Sequence, residues 1–165
     1  MSGSISTILA IRTCTLAALC LRNRIPIPSG PRSVSPLARM GASYGQYFTS
    51  DLRNGKLAKK PKLCVMLHSE FYTDEEKAQI VQTVGSESLL WVTMDGISTE
   101  KLREEARNHG VRLFTNTECN VWANGPFIVL HASKGGPVTV QLKDGTQKTL
   151  ELKLGETRIL RDADF

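Results

Sequence analysis

Residues 1–50 contain neither aspartate nor glutamate, although Arg12, Arg22, Arg24, Arg32 and Arg39 lie among them. All 16 acidic residues and 16 of the 21 basic ones fall in 51–165, so that part is neutral and the net charge of +5 belongs to the N-terminal stretch. A nucleic-acid-binding surface gathers Lys and Arg on the folded body with aromatics between them. Aromatics make up 6% of this chain and no such gathering occurs, so nucleic acid is excluded as a partner. Cysteine is sparse. Cys14, Cys20, Cys64 and Cys119 form no C-x-x-C pair and have no histidine completing a zinc pattern, which points to free thiols in a reducing, cytoplasmic setting. Long apolar runs are missing too: Arg12 and Arg22 bracket too few apolar residues for a membrane span. A glycine-rich phosphate loop is absent. Gly85-Ser86-Glu87-Ser88 precedes a predicted strand instead of opening a helix, so it fails the dinucleotide fingerprint. No cofactor and no metal are expected.

What is present suits one domain plus a small appendage: 165 residues, 41% apolar and 22% charged, a composition of soluble globular proteins. Residues 1–36 read as a disordered or leader-like segment. A mildly apolar run through Ile5, Ile8, Leu9, Ile11, Leu16, Leu19 and Leu21 leads into a Pro- and Ser-rich stretch at Pro26, Pro28, Pro31 and Pro36. An acid-free segment rich in Ser and Arg has the composition of an organellar transit peptide. The same stretch is equally that of upstream sequence translated by chance, or of a remnant of a broken larger gene.

From Leu37 the pattern is regular. Leu37, Met40, Tyr44, Tyr47 and Phe48 recur at helical spacing, which predicts an amphipathic helix over 37–52. Leu63–Leu67 is a short apolar run suited to a strand buried on both faces. Thr73 with Glu76 three residues on is a capping box opening a helix that Gly85 ends. Leu89–Thr93 is a second strand, Ser98 or Thr99 caps a second helix, and Gly110 is its left-handed terminator. Val111–Phe114 is a third strand. Strand, helix, strand, helix, strand predicts a parallel sheet with crossover helices. After Asn116 the rhythm is strands alone, punctuated by Asn124-Gly125, Gly135-Gly136 and Asp144-Gly145, which predicts a small antiparallel unit.

The order of these pieces resembles the region that follows the catalytic barrel in β-galactosidase-like glycoside hydrolases. The resemblance rests on Gly41-Ala42, Asp51-Leu52, Lys62–Leu67, Phe71 to Glu76, Leu89–Val92, Val121 to Phe127, Leu130-His131-Ala132 and Gly155-Glu156-Thr157-Arg158. It implies an α/β fold, a flavodoxin-like domain over 37–116, followed by a small antiparallel β domain over 117–165. The family's catalytic carboxylates stand on a (β/α)₈ barrel of about 250 residues. About 40 residues precede the matching block here, so barrel and acid pair are missing. The resemblance therefore implies a truncated, non-catalytic accessory region with a structural or assembly role, whose partner is a barrel-containing glycosidase subunit or another copy of itself.

The remaining chemistry is thin. Glu75-Glu76 and Glu104-Glu105 are adjacent on helices and cannot face each other, so they read as solvated surface. Cys64 and His68 lie four apart around a strand end, beyond hydrogen-bond reach within a strand. The alternatives to an accessory role are a small enzyme whose chemistry no motif reveals, and a small-ligand or sugar-binding module in the crevice outside the carboxyl ends of the strands, where open α/β sheets collect ligands. His68, Glu70 and Asp95 are its candidate residues. Trp91 and Trp122 are expected in the core, and His131 is expected as a core or interface histidine with one nitrogen satisfied.

Overall fold

The computed structural model describes residues 17–21, 35–55, 57, 60–142 and 144–161, with the backbone alone at 17–21 and 35. The first half holds β1 (Ala17–Leu21), α1 (Ser35–Arg39), β2 (Tyr44–Phe48), α2 (Thr49–Arg53), β3 (Leu63–Leu67), α3 (Asp74–Val84), β4 (Leu89–Val92) and α4 (Thr99–Asn108). Its four strands form one parallel sheet in the order β2-β1-β3-β4. Every residue of β3 is buried, as a strand covered on both faces requires. Alternation along β3 divides the core. Leu63, Val65 and Leu67 meet Leu37 of α1 and Leu102 and Ala106 of α4. Cys64 and Met66 meet Leu52 of α2 and Ile80 and Val84 of α3. β4 divides in the same way, Leu90 and Val92 to the first side and Leu89 and Trp91 to the second. Helices thus cover the sheet on both faces, in three layers.

The helix ends follow the sequence closely. Thr73 accepts from the Glu76 amide at 3.2 Å and Glu76 accepts from the Thr73 amide at 3.1 Å, completing the capping box of α3. Ser98 caps α4 through the Lys101 amide. Gly110, with φ +65°, ends α4: its amide donates to Arg107 and the Val111 amide donates to Ala106 at 2.7 Å, the two bonds of a Schellman motif.

Three expectations are corrected. The helix over 37–52 is two short helices with β2 between them. Gly41, at φ +84°, stops α1, and the burial of Gly45 and Tyr47 between the half-exposed Tyr44, Gln46 and Phe48 has the period of a strand. Val111–Phe114 is not a strand. Its apolar side chains are buried, but the Phe114 amide donates to Gly41 O and the Phe114 carbonyl accepts from Gln141, so its hydrogen bonds go to a loop and to the second unit, not to β4. Third, part of the leader-like segment 1–36 belongs to the sheet: β1 lies between β2 and β3. The rest of that segment, Ser35 and Pro36 apart, lies outside the described residues.

The second unit is the expected antiparallel one. It holds β5 (Cys119–Asn124), β6 (Phe127–Ala132), β7 (Gly136–Gln141), β8 (Gln147–Leu152) and β9 (Thr157–Arg161), in the sheets β5-β6-β9 and β7-β8. Cys119, Val121, Ile128, Leu130 and Leu160 of the first sheet share a core with Val138, Val140 and Leu152 of the second. The β5–β6 turn is centred on Gly125 (φ +57°) and Pro126, one residue later than Asn124-Gly125, because Asn124 still pairs with Phe127. Glycine at the first central position is what a type II′ hairpin needs.

The two units meet over a continuous seam. Phe114 belongs to the β core while its amide donates to Gly41 O at 2.7 Å. Thr115 bridges Val140. The Ala123 amide, on the free edge of β5, donates to Ser43 Oγ at 3.3 Å, satisfying an edge group that would otherwise invite pairing. Behind the seam Arg103 is buried and donates to the carbonyls of Met40 (3.1 Å) and Arg39 (2.9 Å), capping α1 from across the fold.

Candidate functional site

The carboxyl ends of β3 and β4 carry the three candidate residues. His68 follows β3 directly with φ 56° and ψ 50°, the left-handed region that non-glycine residues seldom enter. This conformation turns the chain into the 3₁₀ turn Ser69–Phe71, whose Phe71 amide donates to His68 O at 3.0 Å. The imidazole is half-buried, its Nδ1 buried with no hydrogen-bond partner, and its centroid lies 6.3 Å from that of Phe71. Glu70 accepts from the Met94 amide at 2.7 Å, which ties the end of β3 to the loop after β4. Asp95, next in that loop, is exposed. The structure therefore brings Glu70 to the backbone beside Asp95, and spends one Glu70 oxygen in doing so.

Cys64 is not part of this cluster. It is buried on the α2–α3 face with Sγ 3.7 Å from Met66 Sδ, and neither it nor Cys119 is in a disulfide. Burial pushes the Cys119 thiol up from its ordinary value, against a hydrogen bond to His131 O at 3.3 Å, so it is an inert core group. Of the acidic pairs, Glu76 closes the capping box, and Glu104 and Glu105 both face Lys101, at 3.0 and 3.3 Å. Trp91 is half-buried, edge-on to Tyr72 at 5.8 Å between centroids. Among the described residues no group of three His, Cys, Asp or Glu side chains could hold a metal, and no helix is long and apolar enough to cross a membrane.

Trp122 corrects another expectation. It is 44% exposed on the outer face of β5-β6-β9, not in the core. Alternation explains why: Cys119, Val121 and Ala123 turn inward, so Asn120, Trp122 and Asn124 turn outward. Register places Val129 and then Ile159 beside Trp122, a single apolar row across three strands. The neighbouring rows are Asn124, Phe127, Arg161 and Asn120, His131, Thr157. Phe127 is 40% and Ile159 66% exposed; Arg161 lies over the Phe127 ring at 5.4 Å, and His131 Nδ1 meets Thr157 Oγ1 at 2.9 Å. His131 thus has one nitrogen satisfied, on a surface. The signal was in the sequence as the alternation Asn-Val-Trp-Ala-Asn, in which the small apolar residues claim the inner face.

No protein-family model, no curated protein and no solved structure matches this chain.

Proposed function

We propose that the chain is a non-catalytic accessory region of a β-galactosidase-like glycoside hydrolase, with a structural or assembly role in carbohydrate degradation. The observation that carries this reading is the use to which the fold puts the residues of the resemblance. Gly41 O accepts from the Phe114 and Thr115 amides at the seam between the units, and Ala42 is buried in the α/β core. Lys62 donates to Gly110 O at 2.6 Å, fastening the start of β3 to the end of α4. Thr73 and Glu76 are a helix cap. Glu156 accepts from the Lys153 amide at 2.8 Å and pairs with Arg158, holding the turn between β8 and β9. Each of these groups is consumed by a contact within the fold, as expected of a supporting body. The order β2-β1-β3-β4 is also that of flavodoxin-like sheets through four strands, which supports placing the α/β unit in that class.

A graft tests the reading. Residues 17–161 replace the post-barrel region of a β-galactosidase-like hydrolase, and the chimaera is expected to fold and to hydrolyse aryl galactosides, while the purified chain alone shows none above blank. Galactoside turnover by the chain itself, or an insoluble chimaera from an active parent, contradicts it.

One observation favours a second reading, a small-polar-ligand module at the strand ends. Backbone strain of the His68 kind gathers at ligand clamps, and this histidine also keeps a buried nitrogen without a partner. Saturable binding of a neutral monosaccharide lost in His68→Ala supports it. Binding unchanged by that substitution removes it.

A further inference from the structure

Four places in the chain set an asparagine or aspartate directly before a glycine: Asn54-Gly55, Asp95-Gly96, Asn124-Gly125 and Asp144-Gly145. That pairing has a chemistry of its own. The glycine nitrogen can reach the side-chain carbonyl carbon that precedes it, and the glycine has no Cβ to hinder the approach. Attack closes a five-membered succinimide ring. A folded chain permits this where the glycine nitrogen is free of hydrogen bonding and the backbone before it can turn.

The fold holds three of the four places shut. Gly55 donates to Leu52 O at 3.1 Å, Gly96 to Thr93 O at 3.0 Å and Gly145 to Leu142 O at 3.2 Å. Asn54 is fixed as well, since it ends α2 and its own amide donates to Ser50 O at 3.0 Å. A carboxylate resists the attack that a carboxamide accepts, which sets Asp95 and Asp144 further back. Asp144 Oδ1 is also engaged by the Thr146 amide at 2.8 Å.

Gly125 is the exception. Among the described residues its amide donates to no acceptor, and the Asn124 carboxamide makes no hydrogen bond. Both residues are exposed, and nothing lies within 4 Å of where a Cβ on Gly125 would stand. Asn124 and Phe127 are the last pair of the β5–β6 ladder before the turn. Turning the Asn124 backbone therefore frays one pair and leaves the rest of the hairpin in place.

We propose that Asn124 is a self-modification site, at which the chain deamidates while folded. The lone pair of the Gly125 nitrogen forms a bond to Asn124 Cγ. The Cγ–Nδ2 bond breaks, and Nδ2 leaves as ammonia with the proton that the Gly125 nitrogen gives up. One water then opens the ring. Addition at Cγ yields aspartate on the original backbone. Addition at the main-chain carbonyl carbon yields isoaspartate, with the backbone rerouted through the side chain. Nothing is oxidised or reduced, and water is the only co-reactant.

The site matters for what lies beside it. The outward positions of β5-β6-β9 are Asn120, Trp122, Asn124, Phe127, Val129, His131, Thr157, Ile159 and Arg161, so either product places the first carboxylate on that face. Isoaspartate also adds a methylene to the backbone next to Ala123, whose amide donates to Ser43 Oγ across the seam. The inference rests on backbone geometry and does not depend on the ancestry proposed above.

The test ages the full chain in mildly alkaline buffer made with heavy-oxygen water, once folded and once in urea. Mass spectrometry follows the peptides holding Asn54 and Asn124, and enzymatic carboxyl methylation scores the isoaspartate. In the folded chain Asn124 is expected to convert several-fold faster than Asn54. In urea, where neither glycine amide is bonded, the two rates should come together. Asn124→Gln would have to close a six-membered ring, so it should lose the product while keeping the exposed carboxamide and the cooperative melt. Should its melt change, the two peptides of the unsubstituted chain still decide. Two results overturn the inference: Asn54 converting as fast as Asn124 in the folded chain, or no conversion of folded Asn124 by the time the unfolded chain has converted fully.

Discussion

The α/β unit hides both faces of its sheet, and the β unit hides one. In the first, β3 is buried along its whole length and every apolar alternation finds a helix. In the second, one face of β5-β6-β9 makes the core and the other carries a tryptophan, a phenylalanine and an isoleucine into solvent. Parallel sheets are covered by their crossover helices, whereas antiparallel ones can stand half-bare. Surface chemistry on this chain is therefore concentrated in the strand ends of one unit and the open face of the other.

Substitutions sharpen the contrast, and the largest effect should fall at the seam. Gly41 has φ +84°, and a Cβ there would stand 1.9 Å from Thr115 O. Gly41→Ala meets backbone strain and a backbone clash together, and should lower stability by about 3 kcal/mol or more, read as a fall in the urea midpoint. Next come the two sheets. Leu63→Ala empties a site that is fully buried in β3 and should cost about 3 kcal/mol. Ile159→Ala, on the open face, should stay within about 0.5 kcal/mol. Equal costs for the two would mean that the outer face is covered after all. Arg103→Met keeps the stem but leaves the carbonyls of Met40 and Arg39 without their donor, and should cost about 2 kcal/mol in the same assay.

The smallest effect is the response to acid. Hydrogen bonds from the Thr146 backbone and side chain hold Asp144 below the usual carboxylate value. The Lys153 amide and then Arg158 do the same for Glu156, as do Lys60 for Glu87 and backbone and Thr73 bonds for Glu75. Each such group holds its proton less tightly folded than unfolded. Its contribution is thus present above the ordinary carboxylate value and is lost as pH falls through the lowered folded one. Stability should decline on acidification below the ordinary carboxylate range, and Glu156→Gln should flatten that decline slightly. All four groups are at the surface, so the change is shallow.

Local chemistry was legible in the sequence and long-range pairing was not. The capping box at Thr73–Glu76, the cap at Ser98, the Schellman glycine at 110 and the β7–β8 hairpin around Asp144-Gly145 are set within a few residues, and the structure has them where the pattern puts them, with the β5–β6 turn displaced by one residue. β1 escaped because Ala-Ala-Leu-Cys-Leu is a five-residue apolar run without turn residues beside it; only its neighbours in space, β2 and β3, identify it as a strand. Val111–Phe114 misled in the opposite sense. It has the composition of a strand because it is buried, but its backbone is claimed by Gly41 and Gln141. In the 37–52 stretch, aromatic residues at helical spacing outweighed the glycines that break it. Of the candidate residues, the sequence placed His68, Glu70 and Asp95 at neighbouring strand ends but could not show the left-handed turn at His68 or the Glu70–Met94 bond. Trp122 was assigned to the core because tryptophan in an apolar strand usually lies there; the inward claims of Val121 and Ala123 decide otherwise.

The central claim is that the seam at Gly41 and Ser43 holds the two units as one cooperative body. Urea unfolding followed separately by Trp91, in the α/β unit, and by Trp122, in the β unit, tests it most directly, using Trp122→Phe and Trp91→Phe chains. Coincident transitions in both, moving together to lower urea when Gly41 is replaced by alanine, are the predicted result. Two midpoints well apart in the chain with Gly41 intact would contradict it.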